Sequence, residues 1–152
     1  MIFTIFSYNM KKLIIFIFTI SLSLTNIVYA LNMKSLNDFF KIHQISDPVA
    51  QIYAFQRCSA LYAIVSQYAP DDRKVIIAVT AASFGGKAQS IYSKTNNKSS
   101  SESEKKIMNE IIKIQKFYEE DSNEIYLKEN SKFAGYISLD LEFCYELEKV
   151  LN

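Results

Sequence analysis

Four apolar stripes, each at helical period, constrain this chain more than any other feature. Ala54, Cys58, Leu61, Val65 and Tyr68 follow one another at intervals of four, three, four and three residues, the spacing of one buried helix face. Ile77, Ala81, Phe84, Ala88 and Ile91 repeat that pattern, and Ile107, Ile111, Ile114 and Tyr118 form a third stripe. Ile137, Leu141, Cys144, Leu147 and Leu151 form the fourth. With only 3 glycines and 2 prolines in 152 residues, the turn signals that a sandwich or barrel needs are missing. The fold class predicted is all-α: an antiparallel four-helix bundle, its helices crossing at about 20°.

Stop and start signals divide the stripes. A short leading helix is expected over residues 35–44, with Leu36, Phe39 and Phe40 at helical spacing. Asp47 followed by Pro48 is a helix opening, because the carboxylate caps free backbone N–H groups and proline lacks the donor that the first helical position leaves unpaired. Pro70 ends that helix near Tyr68, and Asp71 is expected to cap a second helix over residues 72–93. The polar run KTNNKSSS, residues 94–101, reads as a solvated loop, with Ser101 and Glu104 as a capping box for a third helix to about residue 120. Gly135 marks a turn before the last helix, expected from about Tyr136 or Ser138 to Leu151.

Residues 1–30 carry a different signal. Met10, Lys11 and Lys12 precede an apolar run over residues 13–24, and Val28 and Ala30 are small residues placed for cleavage after Ala30. Together they have the layout of a secretory signal peptide. The run falls short of the roughly 20 apolar residues of a membrane-spanning helix. Met10 is the more natural start, since it brings both lysines into the basic region. The organisation expected is a signal peptide over residues 1–30, a leading segment over 31–46 and a helical bundle over 47–152. The mature chain is then a soluble periplasmic or secreted protein, with no stable membrane anchor after cleavage.

Export bears on the two cysteines. Cys58 lies mid-stripe in the first long helix and Cys144 mid-stripe in the last. In an up-down-up-down bundle these helices are antiparallel neighbours whose midpoints meet, so a Cys58–Cys144 disulfide is predicted. A nucleophilic cysteine needs a base nearby, and the one histidine, His43, lies outside the bundle helices on the leading segment. One histidine and two separated cysteines also fall short of a four-ligand zinc set, and the sequence EEDSNE, residues 119–124, lacks the glycine and spacing of a calcium loop. No catalytic residue, metal or cofactor is assigned, and an enzyme is not expected.

Loss of Lys11 and Lys12 takes the 17 basic side chains to 15 against 16 acidic ones, so no basic field exists to attract nucleic acid. Ala78, Ala81, Ala82, Gly85 and Gly86 form a small-residue patch in the second long helix, where close packing or a groove for a partner or ligand is expected. Tyr53, Tyr62, Tyr68, Tyr92, Tyr118, Tyr126, Tyr136 and Tyr145 suit bundle edges, each burying a ring while its hydroxyl stays wet. Arg57 stands about 100° around the helix from Cys58 and is expected at the bundle rim. In size and layout, though in no residue motif, the chain is similar to the acid-activated periplasmic chaperones, small exported helical proteins with one disulfide. The function expected is a non-enzymatic protein-binding or chaperone-like module acting on another exported or envelope protein. The alternative is a small-molecule carrier with a groove near Gly85 and Gly86.

Overall fold

In a computed structural model, the structure describes residues 33–151, so the expected signal peptide lies outside the described residues. Those residues form five helices: α1 (Leu36–Phe39), α2 (Pro48–Tyr68), α3 (Asp71–Asn96), α4 (Ser100–Glu129) and α5 (Tyr136–Leu151). The all-α reading holds. No helix among the described residues is long and apolar enough to cross a membrane.

Local chemistry explains most of the boundaries. Asp47 accepts a hydrogen bond from the Val49 N–H with Pro48 in the first turn of α2, as expected. Asp71 does not cap α3: it is already helical, Pro70 occupies the capping position without a side-chain bond, and the Asp71 carboxylate pairs with Lys74 at 2.9 Å. α3 runs on until Asn97 turns it off in the left-handed region at φ 51°. That leaves only Lys98 and Ser99 before α4, so the capping box forms two residues earlier than predicted. The Ser99 hydroxyl accepts from the Glu102 N–H, and the Glu102 carboxylate accepts from the Ser99 N–H. α4 also outlasts the predicted end, because Ser122 continues the stripe of Ile111, Ile114 and Tyr118 and is buried with them. Asn130, at φ 53°, ends it.

α2 is the centre. Every side chain over residues 54–61 is buried, so this helix is enclosed on all sides and has no solvent face there. It packs most extensively on α3, then on α4. Phe55 meets Phe84, and the Ser59 hydroxyl donates to the Ala81 carbonyl at 2.8 Å, so α2 and α3 are antiparallel. Gln89 donates to the Ser100 carbonyl and Gly85 approaches Ile111, so α3 and α4 are antiparallel too.

α5 does not form the predicted antiparallel seam with α2: its ties to α2, Asp140–Arg57, Cys144–Cys58 and Glu148–Tyr62, ascend together in both helices. At its start Tyr136 and Asp140 meet Asp121 and Tyr118 of α4. At its middle Cys144 meets Cys58, and near its end Glu148 meets Tyr62 of α2 and Thr80 of α3. The helix passes from α4 over α2 to α3. Cys58 and Cys144 are bonded, with Cα atoms 5.4 Å apart. The predicted pairing is therefore present, but at a crossing point rather than along an aligned antiparallel seam. The physical reason is the short link over residues 130–135, which returns the chain against the later part of α4. Arg57 and the leading segment then hold Asp140 in place.

Candidate functional site

Beside the disulfide lies a buried polar cluster built from four elements. Arg57 is 1% exposed and ion-paired with Asp140, which is itself fully buried. Arg57 Nε donates to the Tyr118 hydroxyl at 2.8 Å, and Nη1 donates to the Lys34 carbonyl at 2.8 Å. The Tyr118 hydroxyl donates to Asp140, whose other oxygen accepts from the Leu36 N–H at 2.6 Å. Among the described residues no buried side-chain polar atom lacks a partner. The rim position expected for Arg57 is thus corrected, because that expectation assumed a helix with one buried face while α2 is enclosed. Tyr118 is likewise a core residue rather than an edge one, whereas Tyr68, Tyr126 and Tyr145 are exposed.

The electrostatics of the cluster follow from its burial. Burial works against the Arg57 charge, but Tyr118 and Asp140 outweigh it and hold the guanidinium above its ordinary pKa. Burial pushes the Asp140 carboxyl above the usual range, and Arg57, the Tyr118 hydroxyl and the Leu36 N–H bring it only part of the way back. Burial also raises Tyr118, so its hydroxyl stays neutral and serves as donor and acceptor at once. With no buried polar side-chain atom of the described residues left without a partner, the cluster ties α1, α2, α4 and α5 together.

Sequence reasoning missed this cluster, although two signals were present. Arg57 is the only charged residue within α2, and a lone charge in so apolar a helix needs a partner. Asp140 stands four residues before Cys144 and three after Ile137, on the buried stripe itself.

None of the four cluster residues, Arg57, Tyr118, Asp140 and Leu36, lines the apolar cleft, which has a volume of about 370 Å³ and opens between the leading segment, α2, α3 and α5. Its walls are chiefly apolar, with Phe40, Phe55, Ile91, Phe143 and Leu147 among them, and Lys87 is the one charged side chain lining it. Phe40 stacks on Phe143 with centroids 5.3 Å apart, which fixes the wall between the leading segment and α5. Among the lining residues Ile45 is 62% exposed, and Ile42, 77% exposed, borders a separate open depression on the leading segment. His43 is exposed and stacked on Phe39.

The small-residue patch is divided by the structure. Ala81 is buried under Ser59, and a side chain at Gly85 would meet the Ser59 hydroxyl at 3.3 Å and Ile111 at 3.4 Å, so these two positions serve close helix packing. Ala78 and Ala82 are exposed, and a side chain at Gly86 would meet nothing within 4 Å. Gly86 borders a polar depression with Ser90, Ser93 and Lys94, and Ser90 also lines the adjoining apolar cleft. Compared with known protein families, curated proteins and solved structures, the chain has no match in any of the three.

Proposed function

We propose that this is an exported, non-enzymatic binding protein: a four-helix bundle, antiparallel through α2, α3 and α4 and closed by α5, that holds an apolar segment of another protein in the cleft. The observation that carries this reading is the chiefly apolar cleft, whose lining includes the exposed Ile45. A lining of that kind suits a partner that remains partly outside, whereas small-molecule sites enclose most of their ligand. The disulfide supports export, since such bonds persist in oxidising compartments. The test is light scattering from a reduced, unfolding client protein. The wild-type protein should suppress aggregation, and Ile45→Asp should lose most of that effect while melting like the wild type. Equal protection by the variant, or none by the wild type, refutes the reading.

One observation favours a second reading, a carrier of small apolar molecules. Lys87 stands alone as a charge in the cleft lining, as an anchor for the carboxylate of an amphipathic ligand would. Medium-chain fatty acids should then raise the melting temperature of the wild type, by an amount set by ligand concentration over Kd, and should do so less for Lys87→Met.

A further inference from the structure

The outer face of α3 has no partner among the described residues, and its composition is uneven. Toward the N-terminus it exposes bulky apolar side chains: Val75 is 71% and Val79 63% exposed. Toward the C-terminus the same face carries the small residues Gly86 and Ser90, with Lys94 one turn beyond. Gly86 needs explaining, because glycine inside a helix is less favourable than alanine. Unlike Gly85, it has nothing within 4 Å that an added Cβ would meet. Nothing in the described fold requires a glycine there.

We infer that the outer face of α3 is a self-association surface, on which a second copy of this chain packs antiparallel about a two-fold axis between Ala82 and Ser83. The pairing follows from helical spacing. Val79 of each copy falls opposite Gly86 of the other and Val75 opposite Ser90, so the bulky half of each face meets the small half of its partner. Gly86 lets the two backbones approach at the point where Val79 inserts. Charge agrees with this direction and no other: the exposed Asp72 at one end of α3 comes beside the exposed Lys94 at the other end of the second copy. A parallel pair would set Asp72 against Asp72 and Val79 against Val79.

Sedimentation of the purified wild-type protein over a concentration series tests the proposal. A monomer–dimer equilibrium is expected, with Kd raised at least about tenfold by Val79→Lys and by Gly86→Leu, both exposed positions at which the monomer should fold unchanged by circular dichroism. Asp72→Lys should weaken the dimer, and adding Lys94→Asp should restore it. Ser83→Cys, beside the axis, should cross-link two copies on oxidation, while Asp72→Cys should not. A wild-type monomer at all concentrations, a dimer indifferent to Val79→Lys and Gly86→Leu, or cross-linking through Asp72→Cys would each overturn it.

Discussion

At the scale of single residues, Arg57 and Asp140 decide how the interior is organised. Removing one partner of a buried ion pair leaves a charge stranded, which costs about 3–5 kcal/mol. Arg57→Met should lose stability on that order in urea unfolding, well beyond the cost of an exposed substitution such as Lys113→Met. The pH dependence has a definite sign. Asp140 has a folded-state pKa above its ordinary value, so its contribution is full below the ordinary carboxyl range and is lost as pH rises through the raised value. Glu102 is held low by Ser99. Glu110 is held low because Lys113 and Lys106 outweigh its partial burial. Both therefore contribute in the opposite sense, and their share is lost as pH falls. Asp140→Asn should accordingly steepen the loss of stability between about pH 6 and pH 3. Urea midpoints across that range check it, and a shallower slope in the variant contradicts it.

At the scale of elements, caps and glycines set where helices begin and how closely they pack. The capping box at Ser99 begins the 30-residue α4, and Ser99→Ala should cost about 1 kcal/mol. Two adjacent glycines in α3 give a sharper comparison. Gly86→Ala should stabilise the monomer by about 1 kcal/mol, since the new methyl group meets nothing. Gly85→Ala gains the same helix propensity but must displace Ser59 and Ile111, so it should fall clearly below Gly86→Ala in the same melts. α2 shows why periodicity alone misjudged a side chain. A stripe predicts which residues face a neighbour, and α2 has neighbours on every side over residues 54–61, so Arg57 is buried where a rim was expected. In α4, buried on one face, the predicted stripe of Ile107, Ile111, Ile114 and Tyr118 is the buried face.

At the scale of the whole molecule, the last helix is held by a few strong ties rather than by a long packed seam. The disulfide closes a sequence separation of 86 residues, worth about 4–5 kcal/mol in the chain-entropy description of the unfolded state. Reduction should therefore lower stability by several kcal/mol, and hydrogen exchange of the reduced protein should show amides of α5 losing protection before those of α2 and α3. Uniform loss along all helices would contradict the picture of α5 as a crossing strap. The cleft should open with it, because Phe143 and Leu147 on α5 form one wall.

Helix content, the Asp47 cap, the Gly135 turn and the pairing of the two cysteines were all legible in the sequence. Each depends on the conformational preference of a few neighbouring residues or, for the cysteines, on there being only one possible partner. The enclosure of α2, the Arg57–Asp140 pair, the path of α5 across the other helices and the cleft beside it belong to tertiary structure. They arise from how many neighbours surround a helix and at what angle those neighbours cross it. Residue spacing along one helix records neither quantity.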